Sequence, residues 1–198
     1  MDVIANAASL VVQQKKQWGE ILAGFAQRNK YLVSDPAHGD LFAAVEEGGS
    51  MLARQFLRNI RPFEMRVVRL DGTPALHLRR PFTWYFHELE IRDAKTKLLG
   101  RVQRKFSWLR RVYAVQDATG REAYRLYGPA FHPWTFEIRT GDRTVGRIVK
   151  KWSGVAKEAF TTADNFGVTF PTGCSADVKA TLLGAVFLID FVHFERSD

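Results

Sequence analysis

Mainly apolar residues recur at every second position in the segments 85–92, 102–108 and 134–139, with His87 and Arg104 interrupting the first two. A period of two is typical of β-strands that bury one face. Turn sequences such as those at 71–72 and 119–120 separate these segments, and strand patterns follow one another roughly every 10–15 residues. No helical stretch long enough for a parallel crossover lies between them, so the pattern predicts an antiparallel meander that closes, or nearly closes, into a barrel.

Helical periodicity occurs near the two ends of the chain. In residues 8–28, apolar residues such as Trp18 and Leu22 are spaced as in an amphipathic helix, which packs on the domain or lies on a membrane. The second segment, about 177–192, is apolar but contains Asp190. It is shorter than the roughly 20 residues that a membrane span needs, and an aspartate in lipid costs at least ~2.5 kcal/mol. We therefore expect a helix buried within the domain, with membrane insertion as the alternative.

The organisation of the sequence predicts a single, mostly β domain. Its 198 residues correspond to one domain, and no linker or repeat divides them. We expect residues 1–30 to carry the N-terminal amphipathic helix as part of the same unit, and residues 31–198 to form the barrel. About twelve strands then surround the hydrophobic C-terminal helix, since a barrel of that size has an interior that must be filled. A carrier with an open lumen is the alternative architecture.

The charge balance indicates an anionic partner. Lysine and arginine total 29 against 21 acids, which gives a formal net charge of +8 and a pI near 9.8. A membrane surface and a nucleic acid both fit that balance. The single Cys174 excludes a disulfide framework, and the acidic N-terminus does not match a signal peptide, so we expect a cytoplasmic protein.

The sequence contains no recognisable catalytic motif. None of the five histidines is spaced for a zinc site, and Gly141 and Gly146 are not followed by the Lys-Ser/Thr pair of a phosphate-binding loop. The nucleophile motif of hydrolases and the dinucleotide-binding fingerprint are also missing from the sequence. We therefore expect a protein that is not an enzyme and that requires no cofactor.

Basic residues stand beside aromatic residues in three stretches, 79–86, 101–111 and 150–152. Arginine and lysine attract anionic headgroups by about 1 kcal/mol each, and tryptophan favours the membrane–water interface. The same combination suits nucleic acids, and a solvated strand face with inward-pointing aromatics is a third interpretation. The candidate lipid-binding residues are Arg79, Arg80, Phe82, Trp84, Arg104, Lys105, Trp108, Arg110, Arg111, Lys150, Lys151 and Trp152.

Four runs near the C-terminus resemble the signature of phospholipid scramblases: KWSG at 151–154, KEAFT at 157–161, ADNFGVTFP at 163–171 and FLIDF at 187–191. Shorter elements upstream resemble the same family in the same order: NKY at 29–31, RPF at 61–63, RP at 80–81 and GP at 128–129. The resemblance implies a tubby-like fold, in which a twelve-stranded barrel surrounds a hydrophobic C-terminal helix. It also implies calcium-stimulated movement of phospholipids between bilayer leaflets.

The resemblance further implies a partner and a location. A scramblase-like protein is expected to bind anionic phospholipid, to associate peripherally with the inner face of the plasma membrane, and to promote transbilayer movement of lipid. The alternative function is a non-enzymatic cytoplasmic regulatory or scaffold module that binds phosphoinositide, nucleic acid or protein.

Two features of the family are depleted in this chain. The cysteine cluster that carries lipid anchors in animal scramblases has no counterpart at 82–87, so attachment by acylation is not expected. The calcium segment of the family retains only Asp164 and Asn165 as candidate ligands. Calcium takes about six to eight oxygen ligands, often including a bidentate carboxylate, so this segment predicts weak calcium binding at best.

Overall fold

The computed structural model of the protein describes residues 2–14, 30–47, 62–82, 87–108, 110–132, 134–150 and 165–194. The described residues contain twelve strands and two helices. The strands are β1 (Ser9–Gln14), β2 (Lys30–Asp35), β3 (Gly39–Glu47), β4 (Phe63–Arg69), β5 (Pro74–Arg80), β6 (Glu88–Asp93), β7 (Leu98–Lys105), β8 (Arg111–Asp117), β9 (Glu122–Gly128), β10 (Thr135–Thr140), β11 (Arg143–Lys150) and β12 (Asn165–Thr169). The helices are α1 (Asp2–Asn6) and α2 (Ala176–His193).

The strands form a closed antiparallel barrel. Each strand pairs with the next strand in the sequence, and β1 pairs with β12 to complete the ring. The closing register runs from Ser9 opposite Thr169 to Gln13 opposite Asn165. Closure removes the free strand edges that could otherwise pair with another chain. The predicted barrel of about twelve antiparallel strands is therefore confirmed.

Helix α2 runs through the interior of the barrel. It begins after Ser175, whose hydroxyl accepts a hydrogen bond from the backbone N–H of Val178 at 3.4 Å. Every residue from Lys179 to Val192 is buried, and each of the twelve strands contributes side chains to the core around the helix. The predicted buried helix at about 177–192 is confirmed. Among the described residues, no helix is long and apolar enough to cross a membrane.

Two glycines allow α2 to lie close to the barrel wall. A Cβ atom added to Gly184 of α2 would lie 2.6 Å from Cγ1 of Ile91 in β6. A Cβ atom added to Gly100 of β7 would collide with the side chain of Thr181 in α2. Packed protein interiors do not accept contacts this short without displacement, so larger residues would push the helix away from the wall.

The N-terminal segment differs from the amphipathic helix predicted at 8–28. Helix α1 ends at Asn6, residues 9–14 form β1, and residues 15–29 lie outside the described residues. The physical reason is barrel closure, because Val11 and its neighbours in β1 pair with both β2 and β12. The backbone N–H and C=O groups of β1 pair with those of β2 and β12. A helix in the same place would leave the facing backbone groups of both strands without partners.

The up-and-down order of the strands places the connections alternately at the two ends of the barrel. The connections after β2, β4, β6, β8 and β10 are short, and they form the short-turn end. Aspartate side chains accept backbone hydrogen bonds in four of these turns, at Asp35, Asp71, Asp93 and Asp117. Such aspartates stabilise turn conformations locally.

The opposite end is the loop end, which receives the connections after β5, β7 and β9 and the C-terminus of α2. Its described loop residues are 81–82, 87, 106–108, 110, 129–132 and 134. Helix α2 crosses the barrel from the short-turn end to the loop end, so residues near 190 lie among the side chains that close the loop end.

Helix α1 covers the short-turn end and is fixed there by Lys179. The ammonium of Lys179 donates hydrogen bonds to the backbone carbonyls of Ala5 at 2.6 Å and Ala7 at 2.7 Å. Ile4 and Ala7 are buried beneath this contact. A lysine within the buried part of α2 is thus partnered by the chain segment that precedes β1.

We expect Lys179→Met to lower the free energy of unfolding by about 1–3 kcal/mol, because two hydrogen bonds to a charged group are lost while the packing of the aliphatic stem is kept. Lys97→Met is the matched control, since Lys97 is 68% exposed and its nearest carboxylate, Asp177, is 3.9 Å away. The control should change stability by less than about 0.5 kcal/mol. Urea unfolding of both variants measures the difference, and equal effects would contradict this role of Lys179.

Candidate functional site

Large aromatic side chains are exposed at the loop end of the barrel. They are Phe82, Phe106, Trp108, Phe131 and Trp134. Trp108 is 87% exposed and Phe131 is 93% exposed. The remaining exposed large hydrophobic side chains in the described part of the chain are aliphatic and lie at or near the short-turn end: Val3, Leu70 and Val145. A concentration of exposed apolar surface at one end marks a candidate interaction site.

Basic side chains accompany these aromatics. Arg110 is exposed two residues after Trp108, and its guanidinium carbon lies 5.1 Å from the ring centre of Tyr127. Lys105, at the end of β7, is half-buried and donates a hydrogen bond to Oε1 of Gln103 at 2.7 Å. Cations beside exposed aromatic rings combine the two features that favour an acidic bilayer surface.

Several outward-facing charges on the barrel wall are paired with one another. Glu90 of β6 accepts hydrogen bonds from Arg92 at 2.9 Å and from Arg101 at 3.1 Å. Arg79 of β5, one of the predicted lipid contacts, lies 3.5 Å from Glu64 of β4. These ion pairs neutralise part of the charge of the wall, although exposed pairs of this kind contribute little to stability.

Arg80 faces the interior, because alternation along β5 points it away from the side that Arg79 occupies. It is 1% exposed, and its guanidinium donates to Nδ1 of His87 and lies 4.7 Å from the ring centre of Phe191 in α2. Since arginine can only donate, Nδ1 of His87 must accept, which requires a neutral imidazole. Arg80 therefore lies in the barrel core and not on the exposed surface that the sequence predicted for it.

Tyr113 and His193 form a second polar contact inside the loop end. The Tyr113 hydroxyl and Nε2 of His193 are hydrogen-bonded at 2.8 Å. Beside them, the guanidinium of Arg111 donates to two backbone carbonyls in the loop 129–132, at 3.3 and 3.4 Å. Its guanidinium carbon also lies 4.6 Å from the ring centre of Phe136. The interior of the loop end is therefore lined by arginine and aromatic side chains around the C-terminus of α2.

Burial and nearby cations keep the two histidines of this region neutral. Desolvation, together with the charges of Arg80 and Arg104, lowers the pKa of His87 to about 4. Desolvation, together with the charges of Arg111 and Arg104, lowers the pKa of His193 to about 3. Arg104 acts on both imidazoles, because β7 directs its side chain to the interior of the same end of the barrel.

Lys150, another predicted lipid contact, is paired inside the barrel. Its ammonium lies 3.4 Å from Oδ1 of Asp190, and the hydroxyl of Tyr31 donates to Oδ2 at 2.8 Å. The lysine and aspartate side chains are 10% and 7% exposed. Separating such a buried pair would leave an uncompensated charge, so the contact holds this part of α2 within the barrel.

The structure thus separates the predicted lipid-binding residues into four groups, of which the first is Arg79 alone, paired with Glu64 on the barrel wall. Those that lie together on the exposed loop end are Phe82, Lys105, Trp108 and Arg110. Those directed toward the interior of the loop end are Arg80, Arg104, Arg111 and Lys150. Those that lie outside the described residues are Trp84, Lys151 and Trp152.

Of the two candidate calcium residues, the structure describes only one. Asn165 is completely buried in β12, and Asp164 lies outside the described residues. Within the described residues, no group of three or more histidine, cysteine, aspartate and glutamate side chains could hold a metal ion.

The sequence reasoning did not identify several residues of the loop end. Phe131 lies in a loop between Pro129 and Pro133, and an aromatic residue in a proline-bounded loop is a signal that could have indicated exposure. His193 has no comparable local signal, since its partner Tyr113 is 80 positions away in the sequence. Long-range contacts of this kind depend on the closure of the barrel.

Comparisons with known proteins identify the family of this chain. The profile of the Scramblase family matches residues 1–196. The chain belongs to the scramblase family. Phospholipid scramblase 1 of Mus musculus is 31% identical over 211 positions, which include all of this chain and 64% of the mouse protein. Phospholipid scramblase 2 of Bos taurus is 30% identical, with 72% of its length covered, and phospholipid scramblase family member 5 of Homo sapiens is 28% identical, with 78% covered.

The chain therefore spans less than two thirds of the mouse relative. Among solved structures, the X-ray structure of an Arabidopsis thaliana protein is similar, with a TM-score of 0.50 and 13% sequence identity. The alignment covers 92% of this chain and 90% of the plant protein. At that identity the likeness supports the fold alone.

We expect the protein to lose stability as the pH falls from about 6.5 toward 4. In the unfolded chain, His87 and His193 bind protons near pH 6.5, whereas in the folded protein they do so only near pH 4 and pH 3. Between these values the unfolded chain binds more protons than the folded protein, so acid favours unfolding. Between pH 7 and pH 5, His193→Gln should reduce this loss by about 2 kcal/mol, as measured by denaturant unfolding at each pH. His132→Gln, at an exposed loop position, should retain the wild-type pH dependence. An unchanged pH dependence in His193→Gln would show that this imidazole does not stay neutral in the fold.

Proposed function

We propose that this member of the scramblase family binds anionic phospholipid membranes with its loop end and promotes the movement of phospholipid between leaflets. The observation that carries the proposal is the concentration of five exposed aromatic side chains at that end, with basic residues beside them. The names of its relatives, which are phospholipid scramblases, support the choice of lipid as the partner.

The chemistry of the loop end fits a lipid interface. Trp108 and Phe131 present large rings to solvent at high exposure, which is unfavourable in water and favourable at the level of the headgroups. Arg110 adds a cation next to Trp108, and each such cation contributes about 1 kcal/mol of attraction to an acidic leaflet. The short-turn end, where aspartates occupy the turns, lacks this combination among its described residues and would face away from the bilayer.

The proposed mode of binding is peripheral, with α2 kept inside the barrel. Asp190 is held there by Lys150 and Tyr31, and leaving the barrel would expose an apolar helix while breaking that buried pair. Aromatic and basic side chains of the loop end would then disturb headgroup packing and lower the barrier for polar headgroups to cross. This mechanism needs no covalent step. We place the protein at the inner face of the plasma membrane, where anionic lipid is abundant.

We also propose that calcium is not required for membrane binding. Calcium prefers several carboxylate and carbonyl oxygens, and Asn165 is completely buried in β12. The loop end is basic, so it can attract acidic headgroups directly without a bridging cation.

Sedimentation with vesicles tests the binding surface. The double variant Phe106→Ser/Trp108→Ser should bind vesicles of 70% phosphatidylcholine and 30% phosphatidylserine at least about tenfold more weakly than wild type, since it removes two exposed rings that membrane binding would bury. Leu70→Ser is the matched control, because Leu70 is an exposed apolar residue of the short-turn end. Equal binding by the double variant and the control would place the contact elsewhere. Preferential binding to DNA over vesicles would favour the alternative nucleic-acid module.

Transbilayer movement is tested with a fluorescent phospholipid in liposomes that the purified protein coats. We expect the protein to accelerate the movement of the labelled phospholipid from one leaflet to the other. The acceleration should be equal with calcium and with a chelator, because the proposed contacts do not include a metal. The double variant Phe106→Ser/Trp108→Ser should lose the acceleration in proportion to its lost binding. Coated liposomes without any accelerated movement would leave lipid binding as the activity of this chain and exclude translocation.

A further inference from the structure

Arg104 differs from three outward-facing arginines of strands β5 to β7 in having no partner among the described residues. On the wall, Arg79, Arg92 and Arg101 each lie near a glutamate. The side chain of Arg104 makes no hydrogen bond and no ion pair with any residue that the structure describes, while its backbone N–H donates to His87 at 2.8 Å. An arginine that is half-buried and unpaired is unusual, since its desolvation is not compensated.

The register of the barrel directs Arg104 inward. It stands two residues after Val102, which is in the core, and directly opposite Tyr113 of β8. Its backbone N–H donates to the carbonyl of His87, and Tyr113, its partner across the strands, is hydrogen-bonded to His193. The side chain therefore enters the region of these three groups at the interior of the loop end, and its charge acts on all three. Alternation along β7 thus separates Arg104 from Arg101, which lies on the outside of the same strand.

Two further guanidinium groups lie on either side of this position. Arg80 reaches the same region from β5, where it donates to His87, and Arg111 reaches it from β8, where loop carbonyls fix its orientation. These three strands are close in the barrel, with only β6 between β5 and β7. The charges of all three arginines act on Tyr113, so three cations lie around one part of the loop end, and the two imidazoles of this region are neutral.

The carboxylates of this interior do not include a described partner for Arg104. Asp190 faces Lys150 and Tyr31. Glu46, on the inner face of β3, is the other buried carboxylate near this end, and no ion pair joins it to Arg104 in the described part of the chain. A converging group of arginines that retains an unpaired member is the arrangement that proteins use to bind phosphate, because guanidinium groups match phosphate oxygens in geometry and charge.

We propose that Arg104, with Arg80 and Arg111 beside it, binds a phosphate group at the interior of the loop end. This inference rests on the proposed function for the source of the phosphate, which is the headgroup of an anionic phospholipid whose acyl chains remain in the bilayer under Trp108 and Phe131. A soluble phosphate compound has the same recognition chemistry. The site gives the loop end a specific contact with one headgroup, in addition to the general attraction of its exposed cations.

Calorimetric titration with inorganic pyrophosphate and with dihexanoyl phosphatidic acid below its micelle concentration tests the site. Wild type should bind saturably, Arg104→Gln should bind at least about tenfold more weakly, and Arg104→Lys should be intermediate because it keeps the charge but not the fork of donors. Arg101→Gln is the matched control and should stay within about twofold of wild type, since Arg101 lies outside the barrel in ion pairs with Glu90. If the protein binds pyrophosphate but does not bind phosphatidic acid, the site would be assigned to soluble phosphates. Absence of saturable binding, or equal losses in Arg104→Gln and Arg101→Gln, would overturn the proposal.

Thermal unfolding supplies a second readout that a merely structural arginine would not produce. Without ligand, Arg104→Gln should raise the Tm by about 2–4 °C, because it removes an unpaired cation from the neighbourhood of two others. Pyrophosphate should raise the Tm of wild type and not that of Arg104→Gln. A lowered Tm in Arg104→Gln would show that the residue supports the fold, which would overturn the inference.

The vesicle experiment distinguishes failure of this site from failure of the proposed function. Arg104→Gln could lose phosphate binding and still bind vesicles as wild type does, while Phe106→Ser/Trp108→Ser loses vesicle binding. Membrane attachment would then depend on the aromatic residues, and the assignment of the phosphate to a lipid headgroup would be overturned. If wild type binds pyrophosphate but does not bind acidic vesicles, the phosphate site is supported and the proposed membrane function fails.

Discussion

The burial of α2 inside the closed barrel is the constraint on which the rest of this structure depends. A ring of twelve strands encloses more space than its own inward side chains can fill, and an apolar helix supplies the missing volume. The helix must enter at one end and stop at the other, and glycines at 100 and 184 let it lie against the wall. Removing it would leave the strands without a core.

This constraint also makes the two ends of the barrel chemically different. The start of α2 and the short helix α1 cover the short-turn end, where Lys179 joins them through backbone carbonyls. The end of α2 meets the loop end, which therefore has to accommodate Asp190 and His193 among aromatic and basic side chains. The polar interior and the exposed rings thus lie at the same end, and that coincidence connects the fold with the proposed membrane surface.

Charged side chains on the wall and in the interior are stabilised in different ways. On the wall, glutamates meet arginines across neighbouring strands, and solvent screens what remains. In the interior, solvent is scarce, so Lys150 needs Asp190 and the histidines stay neutral. Arg104 departs from this rule, because no described side chain pairs with its half-buried charge. Residues that weaken a fold in this way are expected where a bound ligand provides the missing partner.

The sequence by itself determined that strands predominate, the barrel class and the buried helix, because alternation and a long apolar run reflect which face of each element leaves water. It also indicated the importance of the basic and aromatic stretches. Only the tertiary structure decided which member of each stretch is exposed: Arg79 and Arg80 are neighbours in sequence, yet one is on the wall and the other is in the core. Likewise, residues 9–14 became a strand because closing the ring required a partner for both β2 and β12, a long-range demand that local periodicity does not contain.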